Sequence, residues 1–195
     1  AGKIQFPSAV VTMLNFAAEG SRLQHRLRLE SSVQTNKDSW HVMLNARGGL
    51  DSHALRWRGV LDQINLSGLV PVALLSPTAL DISPERVVLG ATRAQVMGGM
   101  LVSSGLTHRW DGETITQGTL NHFTLTPILA QVARQVTQDI VLNAAWSIRW
   151  GSNPVGKITV QRVGGDVFFP AEPGAAANTL GIRDLAAYLD INKQQ

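Results

Sequence analysis

The chain has 195 residues, a formal net charge of +3, 44% hydrophobic and 16% charged residues, and no cysteine. Without cysteine there is no disulfide framework, no thiol chemistry and no cysteine metal site. Arginines are scattered singly, with no Lys/Arg block interleaved with aromatics, which argues against nucleic acid as a partner, and no apolar run approaches the ~20 residues of a membrane helix. The small positive excess leaves weak attraction to anionic lipid headgroups open.

In chain order, Thr12, Leu14, Phe16 and Ala18 alternate, and Glu19-Gly20 predicts a turn. Leu23, Leu27 and Leu29 then share one side of an extended segment against Arg22, Arg26, Arg28 and Glu30, a hairpin signature. The polar stretch 31–39 reads as a connection. Trp40, Val42 and Leu44 open a strand that Gly48-Gly49 should break, and Leu55, Trp57 and Gly59 start the next. Leu14-Asn15 before His25-Arg26-Leu27-Arg28 is echoed by Leu44-Asn45 before His53-Ala54-Leu55-Arg56, which suggests a repeated hairpin unit.

Short alternating sets follow from Val60 to Val102, punctuated at Ser76-Pro77, Ser83-Pro84 and Gly98-Gly99. Trp110-Asp111-Gly112-Glu113 predicts a hairpin turn, and the spacing of Leu120, Phe123 and Leu125 predicts a bulge. Leu125, Leu129, Val132 and Val136 change the period to three and four. With Thr126 as N-cap and Pro127 at the first helical position, this predicts one short amphipathic helix at about 127–138, capping an opening of the sheet.

The stretch 139–150 carries the strongest signal. Ile140, Leu142, Ala144, Trp146, Ile148 and Trp150 occupy every second position, with Asp139, Asn143, Ser147 and Arg149 among the residues between them. Alternate side chains of a strand point to opposite faces, so one face is apolar and bulky. Gly151 to Pro154 makes a turn, and Ile158 and Val160 continue on a paired strand. Val167 with Phe169, then Leu180 with Ile182, then Leu185 to Ile191 complete the pattern, with a change of phase at Asp184. Opening AGKIQ and closing INKQQ, residues 1–195 read as a single segment of a longer polypeptide.

No catalytic constellation or cofactor motif is apparent. Asp51, Ser52 and His53 have the residue types of a hydrolase triad, but a triad is assembled in space and adjacent residues read as a turn. The five histidines lack ligand spacing. The remaining signal is long serial strands with few elements to cover their apolar side. A curved antiparallel sheet of this kind leaves a groove, and exposed apolar surface calls for a ligand or partner.

The order of several degenerate motifs resembles the periplasmic repeats of the TamB family, within the AsmA-like superfamily. They are W-R-G-V-L-D-Q-I-N-L-S-G from Trp57, Pro71, Ser76-Pro77-Thr78-Ala79-Leu80, Val88-Leu89-Gly90-Ala91 and Gly98-Gly99-Met100-Leu101. Ala145-Trp146-Ser147-Ile148-Arg149-Trp150-Gly151, Gly156-Lys157-Ile158-Thr159-Val160-Gln161-Arg162 with Gly165-Asp166, and Leu180-Gly181-Ile182-Arg183 complete the series.

The resemblance implies an elongated β-taco, or half-pipe, with an apolar interior, in the periplasm of a Gram-negative bacterium. The protein would be anchored in the inner membrane by a helix outside this segment. It would work with a TamA-like outer-membrane protein, reached through regions outside this segment, in envelope biogenesis. It would conduct phospholipid acyl chains between the two membranes without enzymatic activity. On this reading Leu142, Trp146, Ile148, Ile158, Val160, Leu180 and Ile182 line the groove. Two other readings fit the residues: a scaffold offering sheet edges to outer-membrane protein strands, and a closed β-sandwich or jelly roll that binds carbohydrate on exposed Trp57, Trp110 or Trp150.

Overall fold

The computed structural model describes residues 4–6, 9–35, 38–126, 128–129, 137–169 and 178–192. Strands dominate, and the first ones are long: β1 (Ile4–Phe6), β2 (Ala9–Ser21), β3 (Gln24–Thr35), β4 (Ser39–Asp51) and β5 (Arg56–Ser67). Those from β2 to β5 run 12 or 13 residues, against about 5–6 in an ordinary domain. Shorter ones follow: β6 (Val72–Leu74), β7 (Thr78–Ile82), β8 (Arg86–Leu89) and β9 (Thr92–Val96). Then come β10 (Gly99–Arg109), β11 (Thr114–Thr124), β12 (Thr137–Gln138), β13 (Val141–Trp150), β14 (Val155–Gly164), β15 (Val167–Phe169), β16 (Asn178–Thr179) and β17 (Ala186–Ile191).

Fourteen of these strands form one antiparallel sheet running from β1 to β17, and β12, β15 and β16 form a second sheet of three. Among the described residues β1 and β17 are the two ends of the large sheet, and no pairing between them closes it into a barrel. Nor do two comparable sheets face each other as the sandwich reading requires. At its middle, β6 with β7 and β8 with β9 act as two interrupted strands. One half of β5 pairs with β6 and the other with β7, while β10 divides between β9 and β8. Pro77 and Gly90 fall at the interruption. The Thr78 hydroxyl donates to the Ala91 carbonyl there (2.9 Å), and the Gly90 N–H to the Ala79 carbonyl (2.8 Å), so the break leaves few backbone groups unsatisfied.

Several sequence expectations are met. Residues 110–113 turn as Asp-Gly predicts, with the Asp111 carboxylate accepting from the Glu113 N–H (3.2 Å). The register shifts between Leu120 and Phe123, and the His122 N–H donates to Asn143 Oδ1 (2.8 Å) at that bulge. Asp51, Ser52 and His53 are turn residues: the Asp51 carboxylate accepts from the N–H groups of His53 (3.0 Å) and Ala54 (3.3 Å).

Others need correction. Glu19 and Gly20 lie inside β2, and the chain turns at Arg22-Leu23. Gly20, at φ 114°, accommodates the twisted end of the hairpin instead. Gly48 and Gly49 do not break β4, because they are packing sites rather than hinges. A Cβ on Gly49 would lie 2.0 Å from the Leu23 carbonyl oxygen, and one on Gly48 2.5 Å from the Trp57 ring. Residues 31–35 belong to β3; their polarity is absorbed by bonds such as the Ser31 hydroxyl to the Met13 carbonyl (3.1 Å).

The short helix expected at about 127–138 is present as a first turn, in which the Leu125 carbonyl accepts from Ile128 (3.0 Å) and Leu129 (2.9 Å). Residues 127 and 130–136 lie outside those described, and 137–138 form β12 instead. Thr126 does not cap the turn, because its hydroxyl is engaged by Gln138: it donates to the Gln138 carbonyl (3.3 Å) and accepts from Gln138 Nε2 (3.0 Å). Leu180 and Ile182 belong to an irregular connection, and the last strand starts only at Ala186.

The chain exposes 13009 Å² of surface, where a compact protein of 21.0 kDa exposes about 9,000 Å². Among the described residues only Ala46, Leu61, Ala94, Phe123, Ile140 and Leu142 are buried apolar side chains, and none is below 2% exposed. Phe123, Ile140 and Leu142 form a buried cluster, with Leu120, Leu125, Val160, Val167 and Ile182 packed around it.

Candidate functional site: an uncovered apolar face

Directly opposed residues of an antiparallel pair project from the same face, so the strand registers map the two sides of the large sheet. One side is predominantly apolar, with His25, Ser31, His108 and Thr116 as polar residues among its rows. In the long hairpins Phe16, Leu29, Leu44 and Ile64 follow one another across β2 to β5. Trp57, Ile82 and Val87 continue the face across the middle, and Leu101, Leu120, Ala144, Val160 and Ala187 carry it across β10 to β17. The opposite side carries Arg26, Arg28, Glu30, Arg47, Arg58, Asp81, Gln117, Arg149 and Lys157. Its ion pairs include Arg47 with Asp62 (3.4 Å) and Lys157 with Asp190 (3.8 Å).

Among the described residues no second layer lies over most of the apolar side. Its side chains are mostly half-buried by their lateral neighbours, and at the two ends Phe16 is 66% and Leu189 53% exposed. Contiguous apolar surface on this scale marks a place of interaction. Tryptophans flatten it where glycine leaves a gap. The Trp146 ring lies across Gly118 of β11, and its Nε1–H donates to the Thr116 hydroxyl (3.3 Å). The Trp57 ring lies over Gly48 and Gly59 and donates to His25 Nε2 (2.8 Å), while His25 Nδ1 donates to the Ser21 carbonyl (3.0 Å). Trp40 stands in the same way against Gly68. Trp146 and Trp57 spend their indole N–H groups laterally and turn their rings to the face.

Four of the residues expected to line a groove form one patch. Trp146 and Ile158 are directly opposed, Val160 opposes Ala144, and Ile148 lies two residues from Trp146 on the same side. The other three lie elsewhere. Leu142 is buried with Phe123 and Ile140, and Ile182 packs on that cluster. Leu180 is exposed outside the large sheet, its N–H bonded to the Val167 carbonyl (2.9 Å). Trp146 and Ile148 border clefts of about 420 and 570 Å³, but most of the lining, Thr119, Ser147 and Lys157 in the first and Val88, Gln117 and Arg149 in the second, belongs to the polar side.

Leu142 and Ile182 instead belong to a plug over one end of β11, β13 and β14. The small sheet and the 180–185 connection build it, and two polar residues hold it. Arg162, opposite Leu142, donates to the carbonyls of Gly165 (2.9 Å) and Arg183 (2.9 Å). The Asp166 carboxylate accepts from the N–H groups of Val167 (2.8 Å), Gly181 (3.0 Å) and Ile182 (3.2 Å). These bonds, that of Val167 foremost, hold its carboxyl below the usual carboxylate range. Spacing alone did not single out Arg162 and Asp166, because their partners are backbone groups of a connection with no periodic signal.

Among the described residues no group of three His, Cys, Asp or Glu could hold a metal ion, and no helix is long and apolar enough to cross a membrane. The geometry defines a class: a two-faced antiparallel β-sheet protein with one predominantly apolar side, part of it covered by the plug. Comparison of the chain with family models, curated proteins and solved structures gives no match.

Proposed function

We propose that this chain is a segment of a TamB-like envelope protein whose apolar face conducts phospholipid acyl chains across the periplasm. The observation that carries the proposal is the predominantly apolar side of the large sheet, which runs from β2 to β17 and is covered, among the described residues, at the plug. Strands spaced about 4.8 Å apart make that face roughly 50 Å wide. One leaflet of a bilayer has about 15 Å of hydrocarbon, half the ~30 Å core. A tail would therefore find several equivalent places along the face.

Full burial of a CH2 is worth about 0.8 kcal/mol, so a tail lying on one surface gains roughly half of that per methylene. The binding is strong for a whole tail, yet movement along the face exchanges one apolar row for the next at little cost. Curvature into a half-pipe would deepen the face into a trough, with headgroups held at its wet rim. The motif order shared with TamB-like proteins supports this reading. So does the family's arrangement of an inner-membrane anchor and a TamA-like partner, both engaged through other regions.

Photocrosslinking in cells tests it. Labels at Trp146 and Ile158 should capture lipid, and one at Lys157, on the opposite side, should not. Adducts to protein alone from both apolar positions would end the proposal.

A second reading rests on β17. Among the described residues it pairs with β14 alone, and residues 186–191 contain no Pro or Lys. Such an edge suits strand addition by an outer-membrane protein. Crosslinks from Ala186 and Tyr188 to nascent barrel proteins, with none to lipid from Trp146, would favour it.

A further inference from the structure

The polar side of the sheet carries a concavity that the apolar face does not explain. It lies where β2, β3, β4 and β5 meet the Arg22-Leu23 turn, has a volume of about 630 Å³, and is lined in part by Glu19, Arg26, Arg47, Gly49 and Arg58. Gly49 leaves a gap in the row of side chains, and the carbonyl of Leu23 closes over it. Arg58 is directly opposite Gly49, and Arg26 is directly opposite Arg47. Three guanidinium groups therefore border one gap whose floor is backbone.

Like charges set directly opposite each other across a strand pair destabilise a sheet. Arg26 has no ion pair among the described residues. Arg47 reaches Asp62 at 3.4 Å, an exposed contact of small worth. Arg58 lies 3.5 Å from Asp81, but that carboxylate is already gripped by Arg56, whose Nε donates to both of its oxygens (2.7 and 3.0 Å). All three arginines line the same cleft, with Glu19 directly opposite Arg26 on its other side, and the one printed contact of Arg47 and of Arg58 to a carboxylate leaves further guanidinium N–H groups for a ligand. Planar guanidinium forks suit the oxygens of a phosphate, and an anion between Arg26 and Arg47 removes their repulsion.

We propose that the cleft formed by Arg26, Arg47 and Arg58 around Gly49 binds a phosphate group, either free or as a phosphate ester such as a lipid headgroup. The site is on the side of the sheet opposite the acyl-chain face, so it stands or falls independently of the conduit.

The test uses the whole chain and two kinds of probe. Glycerol 3-phosphate is titrated by calorimetry against the parent protein, R26Q/R47Q, R93Q and E19Q. Arg93 is an exposed arginine of the same polar side, away from the cleft. Binding should weaken by about tenfold in R26Q/R47Q, stay unchanged in R93Q and tighten about twofold in E19Q, which removes the one carboxylate lining the cleft. The opposite effects of E19Q and R26Q/R47Q separate a binding site from a folding defect. Absence of binding by the parent protein, or equal weakening by R93Q and R26Q/R47Q, would overturn the proposal.

Flotation with vesicles of phosphatidylcholine alone, or mixed with phosphatidylglycerol, identifies the source. Retention on mixed vesicles that glycerol 3-phosphate reverses makes the ligand a lipid headgroup. Binding of glycerol 3-phosphate without vesicle retention makes it a soluble phosphate. Retention on both vesicle types that neither the phosphate nor the arginine substitutions alter belongs to the apolar face, and refutes the cleft as the contact.

Discussion

The β2–β5 hairpins and the β11–β14 end carry the same alternation of apolar and polar residues, yet the two regions bury it differently. In the hairpins Leu29, Leu44 and Ile64 are only half-buried, directly opposed to one another across the ladders. At the other end Leu142, with a similar pattern around it, is 4% exposed because the small sheet and Ile182 sit on top. Alternation therefore specifies a face, and burial depends on whether a second layer arrives. The hairpins rely on long ladders and side-by-side packing, the plug on a small conventional core.

The strongest way to break this comparison is a pair of truncations. Leu142→Ala should destabilise the chain by about 3 kcal/mol, as cavity-forming changes do, and Leu44→Ala by only about 1 kcal/mol. Chemical denaturation followed at the tryptophans measures both. Equal losses would mean that the hairpins have a hidden core.

Next in size is Gly118→Ala. The new methyl group would fall 2.7 Å from the Trp146 ring and 2.7 Å from the Val102 carbonyl. A cost of about 1–3 kcal/mol is expected, with Trp146 lifted from its place and its emission shifted to the red. An unchanged spectrum would show that the glycine is not what lets the ring lie flat.

Asp166→Ala should act locally, speeding amide exchange at Gly181 and Ile182 while leaving β2 to β5 protected. Acid should do the same to the parent protein. The Asp166 carboxyl is held below its ordinary range when folded, so its contribution is complete above that range. It is lost as pH falls through the lowered value. Exchange at Gly181 that ignores acid would contradict this role. The smallest effect belongs to the exposed Arg28–Glu30 pair at 3.7 Å, whose removal should shift stability by no more than a few tenths of a kcal/mol.

The sequence was informative wherever structure is local. Asp-Gly at 111–112, the turn at 151–154 and the bulge before Phe123 were all readable, since each depends on residues within a few positions. The hairpin echo was readable in part. Leu14-Asn15 and Leu44-Asn45 take matching places in the β2–β3 and β4–β5 hairpins, but His25 is in a strand and His53 in a turn. Gly48 and Gly49 misled because glycine marks both breaks and close approaches. Only the partner, the ring of Trp57 or the carbonyl of Leu23, distinguishes the two. Of the candidate lining residues, alternation placed Trp146 with Ile148 and Ile158 with Val160 on one side of their strands, whereas neither the opposition of Trp146 to Ile158 nor the withdrawal of Leu142 and Ile182 into the plug followed from it.

By itself the order of residues determined a mainly β chain with one greasy side, because a period of two needs nothing beyond the strand that carries it. Tertiary structure alone decided that fourteen strands join in one sheet, that the middle pairs through interrupted strands, and that one end of the apolar side is covered. It also decided that three arginines far apart in the chain surround one gap. The physical reason is register: which residues oppose one another across a ladder is settled by hydrogen bonds between distant segments, and no local pattern contains that information.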